Sequence, residues 1–172
     1  MIIRQEKVSD YYKVCNLVKN SFATNSDDDG TIHDYLNELR TKDCFIPELS
    51  LVAEQGNGEI VGQIVLYKTN IATENGTITE LVLSPICVSP DYFLRGIARA
   101  MSEKSFDIAK ALGYKAVFLC GSPKVYRRLG FSPTYEYGIF HIDDKDKNAE
   151  WCMVRELVNG VLDNISGTIN IV

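Results

Sequence analysis

Apolar residues recur along this chain with two different periods, and the places where the period changes mark its elements. Ile2 and Ile3 open a short strand; Ser9 then reads as an N-cap before Tyr12, Cys15, Val18 and Phe22, whose spacing predicts a helix over about 10–23. Asn25 to Gly30, with three consecutive aspartates, reads as a loop, and Tyr35, Leu36 and Leu39 mark a second, shorter helix. Leu49–Glu54 and Glu59–Tyr67 are β-rich runs joined by Gly56-Asn57-Gly58, which predicts a hairpin. A further turn at Asn75-Gly76 leads into the β-branched run Thr77–Val88, where Pro85 cannot donate to a ladder and predicts a bulge or an edge.

The strongest helical pattern follows, with Ile97, Ala100, Met101, Ile108, Ala109 and Leu112 on one period and Gly113 in the left-handed C-cap position. Lys115–Cys120 then reads as a short buried strand. Strand 77–88, helix and strand 115–120 form a β-α-β unit, so the two strands should be parallel. A short helix over Pro123–Leu129, strands near Tyr135–Ile142 and Glu150–Glu156, and an edge strand from Gly167 complete the pattern.

Composition narrows the class. The 172 residues, 45% hydrophobic and 24% charged, are enough for one compact domain, 1–172, with a substantial core. The longest unbroken apolar run, Ala116–Cys120, is far short of the roughly 20 residues of a membrane helix, and the polar start MIIRQEKVSD carries no export signal. No membrane association and a cytoplasmic location are therefore expected. A net charge of -5 argues against phosphate-driven nucleic-acid binding. Cys15, Cys44, Cys87, Cys120 and Cys152 form no C-x-x-C pair, so they read as reduced, mostly buried thiols with no metal site.

The chemistry-bearing segment is Val88-Ser89-Pro90-Asp91-Tyr92-Phe93-Leu94-Arg95-Gly96-Ile97-Ala98-Arg99, which runs from the end of a strand into the strongest helix. A helix N-terminus presents unpaired amides and a positive dipole end, Gly96 and Ala98 allow a phosphate close to the backbone, and Arg95 and Arg99 add charge. Alone, this is equally an ordinary βα turn. Further on stands Tyr126-Arg127-Arg128-Leu129-Gly130-Phe131.

Taken together, Val88–Ala98 and Tyr126–Phe131 resemble the V-x-P-x-x-[QR]-x-x-G-x-[GA] and Y-x-x-x-G-F segments of the GNAT superfamily of acetyl-CoA-dependent N-acetyltransferases. The resemblance spans most of residues 1–157, with its specific motifs in 83–131. It implies an α/β fold with a central twisted mixed sheet of about six or seven strands, a bulged and splayed parallel pair and about four helices. The chain departs from the pattern at Phe93, where the family has Gln or Arg, and at Leu94. Gly121-Ser122-Pro123-Lys124-Val125-Tyr126 is similar to the G-D-P-x-Y-Y stretch of one subgroup, with Ser122 and Val125 as replacements.

What the resemblance implies is transfer of an acetyl group from acetyl-CoA to a primary amine, a small molecule or a peptide, by direct attack in a ternary complex, with no metal. The site residues would be the amide of Ile86 for the oxyanion, Val88 for the pantetheine arm, Cys87 between them, and Phe93, Leu94, Arg95, Gly96, Ile97, Ala98 and Arg99 for the pyrophosphate. Tyr126 would protonate the leaving thiolate. Glu80 is the candidate base for the ammonium; it reads equally as an exposed, solvating glutamate, with water as the base. Cys87 as an acyl-accepting nucleophile gives way to a buried strand cysteine, and His33 and His141 read as surface residues. Lys124, Arg127 and Arg128 read either as contacts to the CoA 3′-phosphate or as solvated cations. The resemblance allows a homodimer, and the competing function is a non-catalytic acyl-CoA-binding or sensor module.

Overall fold

The computed structural model describes residues 1–22 and 31–171; the acidic run Asp27–Asp29 lies outside them. Two compact units can be told apart. One comprises Met1–Tyr67 and Ser84–Ile108, the other Lys68–Leu83 and Ala109–Val172.

The first unit begins with β1 (Ile2–Gln5), a 3-10 turn (Val8–Asp10) and α1 (Tyr11–Phe22), followed by α2 (Ile32–Leu39), β2 (Phe45–Glu54) and the start of β3 (Ile60–Thr73). β1 lies antiparallel to β2, from Ile2↔Glu54 to Gln5↔Leu51, and β2 antiparallel to β3, with Leu51↔Ile64 and Ala53↔Gly62. The helical face of α1 is not the one its spacing predicted. Val14, Leu17 and Val18 are buried, whereas Tyr12 is 80% exposed and Cys15 only half-buried. Ser9 caps nothing; it sits inside the 3-10 turn, where the Asp10 carboxylate accepts the Lys7 amide instead (2.8 Å).

β3 is buried at every position from Ile60 to Tyr67, as a strand covered on both faces must be. Gly62 permits one of those covers. A β-carbon there would stand 2.9 Å from Met101 Cε, so the lack of a side chain lets Met101 press onto the strand. Met101 belongs to α3 (Ile97–Ala111), which enters from β4 (Gly76–Val88) through a 3-10 turn at Pro90–Tyr92.

The second unit takes the ends of β3 and α3, the start of β4, then β5 (Ala116–Cys120), α4 (Pro123–Tyr126), β6 (Ser132–Pro133), β7 (Ile139–His141), β8 (Cys152–Glu156) and β9 (Gly167–Ile169). β4 and β5 are parallel through Leu81↔Val117 and Val82↔Phe118, as the β-α-β reading requires, and the register is not continued to Pro85. β8 pairs antiparallel with β5, and β6 with β8. The architecture is therefore mixed α/β, with a mixed sheet and, among the described residues, four α-helices.

Four expectations are corrected here. The segment near Tyr135–Ile142 is a 3-10 turn over Thr134–Tyr137, closed by left-handed Gly138, and only Ile139–His141 is strand. β9 is not an edge; it pairs antiparallel with β3 and parallel with β7, and Gly167 is forced there because a β-carbon would meet the Ala72 carbonyl oxygen. His141 is buried rather than superficial. Its Nδ1 accepts the Asp143 amide (3.2 Å), its Nε2 lies within hydrogen-bond distance of both the Ile171 carbonyl oxygen (3.1 Å) and the Ile171 amide (3.2 Å), and its ring stands edge-on to Trp151. Nor are the thiols mostly buried: Cys87 and Cys152 are, Cys15 and Cys44 are half-buried, and Cys120 is exposed.

Candidate active site

β4 delivers the chain to the site. Ile86 is half-buried, Cys87 and Val88 are buried, and the Val88 carbonyl accepts a hydrogen bond from Ser21 Oγ of α1 (3.2 Å). The Ser89 amide returns to the Val61 carbonyl of β3 (2.8 Å), so the last residues of the strand are held from two directions. The Cys87 thiol is pushed up to about 12 by burial. Buried and held protonated in this way, Cys87 fits the buried strand cysteine of the sequence reading.

From Ser89 the backbone tightens. The Tyr92 amide bonds the Ser89 carbonyl (2.9 Å) and the Phe93 amide the Pro90 carbonyl (3.2 Å), after which Phe93 is extended and Leu94 (φ 62) and Gly96 (φ 77) are left-handed. Left-handed residues alternating with ordinary ones turn successive N–H groups inward to a common concavity, the arrangement that receives anions. The first helical hydrogen bond of α3 runs from the Ala100 amide to the Gly96 carbonyl (3.0 Å). The amides of the opening turn, Ile97 and Ala98 among them, thus have no intrahelical acceptor and meet the positive end of the helix dipole. A β-carbon at Gly96 would meet nothing within 4 Å, so the approach to these amides is open on that side.

Side chains fix this loop in ways that sequence spacing does not reveal. Tyr92 donates its hydroxyl to Glu59 Oε2 (3.0 Å), tying the loop to the β2–β3 hairpin, and the Arg95 guanidinium stacks on the Tyr92 ring at 5.0 Å. Arg95 is therefore braced as well as charged. Phe93 (55% exposed) and Leu94 (fully exposed) project to solvent, which is consistent with a loop that works through its backbone and not through these side chains.

Tyr126 and Glu80 belong to the second unit. The Tyr126 ring lies on Gly121, where a β-carbon would come within 2.4 Å of Cε2, and meets Phe131 edge-on at 6.0 Å between centroids. Left-handed Gly130 turns the chain back so that the Phe131 amide bonds the Tyr126 carbonyl (3.2 Å), and Arg155 secures the turn through the Leu129 carbonyl (2.7 Å). Tyr, Gly and Phe at these spacings are one packing unit. No described residue bonds the Tyr126 hydroxyl, and burial raises its pKa.

Glu80 is buried, so the exposed reading does not hold. Its Oε2 accepts two amides at the start of β5, Lys115 (2.9 Å) and Ala116 (3.1 Å), and desolvation raises its pKa against those bonds. The carboxyl borders a cavity of about 180 Å³ that is otherwise mostly apolar, lined by Ile71, Ile78, Ile139 and Leu162 among others. Arg127 stands 3.9 Å from Glu150 at the surface. Among the described residues no cluster of three or more His, Cys, Asp or Glu side chains is arranged to hold a metal.

Comparison with known proteins bears on this geometry. No curated protein matches the chain significantly. Among solved structures, the fold is shared with the GNAT family N-acetyltransferase YhbS from Escherichia coli in complex with CoA (TM-score 0.84, 21% identity, 99% of this chain and 89% of that one). It is shared also with a GNAT family acetyltransferase from Brucella melitensis in complex with acetyl-CoA (TM-score 0.69, 24% identity, 76% and 81%). A third likeness is to Naa20 from Chaetomium thermophilum in complex with a bisubstrate analogue (TM-score 0.60, 17% identity, 99% and 97%). The family described as "Acetyltransferase (GNAT) domain" matches residues 2–134. Because that stretch takes in both the amide-lined turn and Tyr126, and most of the chain besides, the protein belongs to the GNAT acetyltransferase family.

Proposed function

We propose that the chain, acting as one domain, is an acetyl-CoA-dependent N-acetyltransferase that acetylates a primary amine of a small molecule or a peptide. The observation that carries this reading is the left-handed pair Leu94 and Gly96 ahead of α3, a backbone alternation of the kind that turns successive amides toward an anion, next to a helix N-terminus. Acetyl-CoA supplies the thioester; the chain's residues hold it and manage charge and protons.

In this reading the amide of Val88 pairs with the pantetheine arm and the amide of Ile86 faces the carbonyl oxygen, where a fixed donor stabilises the negative charge that develops as the amine attacks. The ending of the β4–β5 register at Val82 among the described residues supports it. Tyr126 gives its proton to the departing thiolate. A phenol shielded from water stays protonated at neutral pH, and its hydroxyl has no competing acceptor among the described residues. Glu80 is engaged by two backbone amides, which supports a role in positioning β5, with water taking the ammonium proton.

The test is Tyr126→Phe with acetyl-CoA and a panel of amines. Turnover should fall about 10²- to 10⁴-fold, the range of a lost general acid, while the Kd for CoA stays within about threefold. Wild-type protein that binds CoA yet acetylates no amine would instead establish the sensor reading.

A further inference from the structure

Cys120 ends β5 and Cys152 begins β8, and the two face each other in the antiparallel register. The Gly121 amide bonds the Trp151 carbonyl (2.8 Å), so residues 121 and 151 form a hydrogen-bonded pair and residues 120 and 152 the adjoining non-hydrogen-bonded one. Such pairs bring α-carbons to about 4.5 Å, within the span of about 4.4–6.8 Å that a disulfide bridges. Their side chains lie on one face of the sheet, directly opposite one another across the strand pair. One is exposed and the other fully buried. No other two cysteines face each other across a registered strand pair among the described residues.

We infer that Cys120 and Cys152 form a redox-modification site, a cross-strand dithiol that hydrogen peroxide or an organic hydroperoxide converts to a disulfide. Cys120 is the sulfur that solvent reaches, and it loses its proton to solvent to give the reactive thiolate. That thiolate attacks the peroxide, the O–O bond breaks, and the leaving oxygen departs as water (or the alcohol) with a proton from solvent, giving the Cys120 sulfenic acid. The Cys152 sulfur then attacks the Cys120 sulfur, and the sulfenic oxygen leaves as water with the Cys152 proton. Two thiols are oxidised by two electrons and one peroxide is reduced.

The consequence for activity rests on the reading of Tyr126 given above. Gly121 follows Cys120 directly and is the surface on which the Tyr126 ring lies. Drawing the two sulfurs together to a bond of about 2.05 Å shifts the end of β5 and, with it, the floor beneath the ring.

Reduced full-length protein is treated with hydrogen peroxide, free thiols are blocked with N-ethylmaleimide, and digests are mapped by mass spectrometry. A Cys120–Cys152 linked peptide should appear about tenfold faster than oxidation of Cys15, Cys44 or Cys87, and dithiothreitol should reverse it. Cys120→Ser, an exposed change at a strand end, should abolish the link while keeping the thermal unfolding midpoint. Failure to form the link, a link to any other cysteine at a comparable rate, or passage of Cys120 straight to sulfinic acid would overturn the inference. Acetyl transfer is followed in parallel: the oxidised wild type should lose turnover and Cys120→Ser should keep it. Linkage without that loss would refute the coupling to Tyr126 and leave the modification site standing, whereas absence of activity in the reduced protein would instead refute the acetyltransferase reading.

Discussion

At Gly96 a left-handed backbone coincides with open space where a side chain would stand, so a substitution there acts through conformation and through access to the amides. Gly96→Ala should cost about 1 kcal/mol of stability, the penalty of a left-handed β-carbon, and weaken CoA binding by about tenfold or more by crowding the concavity. Urea unfolding and calorimetric titration check the two effects separately. Glu80 makes a prediction about pH. Burial raises its folded pKa above the unfolded value near 4.3, so folding favours the protonated form, and stability falls as pH rises from about 4.3 through the folded pKa. Glu80→Gln keeps an oxygen for the Lys115 and Ala116 amides and loses that slope, so its stability relative to wild type should improve across this window. Glu80→Ala leaves both amides without an acceptor and should cost about 1–3 kcal/mol at neutral pH. Urea titrations at several pH values separate the three proteins.

Among elements, α2 is held by a charge taken out of water. Arg40 follows α2 and pairs with Glu6, just past β1, both side chains being almost fully buried. Glu6 also accepts Ser50 Oγ of β2 (2.7 Å), and Arg40 stacks 4.0 Å over the Tyr11 ring of α1. Arg40→Ala strands the Glu6 carboxylate and should cost about 3–5 kcal/mol in chemical denaturation, the usual effect of breaking a buried pair from one side. Elements differ in how far their sequence announced them. The run expected from Ile97 to Leu112 is α3 at Ile97–Ala111, because period, length and a glycine C-cap agree. The hairpin at Gly56-Asn57-Gly58 is in place, but its strands extend to Phe45 and Thr73, since pairing partners recruit residues whose own β-propensity is modest. Tyr135–Ile142 misled because aromatic residues suit a strand and a 3-10 turn alike, and Gly138 settles the matter by closing the turn.

For the molecule as a whole, ligand and fold are linked. If the native state alone binds CoA, ligand at 100 times its Kd adds about 2.7 kcal/mol of stability, and a chain of this size should gain about 5–10 °C in Tm. Differential scanning fluorimetry with CoA, and with ATP as the control, measures it, and no shift with CoA would contradict the binding reading. Sequence alone determined what depends on near neighbours: the strand-to-helix turn with its glycine, the Tyr-x-x-x-Gly-Phe packing unit, the helices and the parallel β-α-β order. These are set by backbone conformation and short-range spacing, which a linear pattern records. Only the tertiary structure decided that His141 is internal, that β9 lies between two strands, that Glu80 serves the amides of β5, and that Tyr92 anchors the loop through Glu59. Each of these joins residues well separated along the chain, and burial and hydrogen bonding are fixed by what folding brings alongside a residue, which its own identity does not encode.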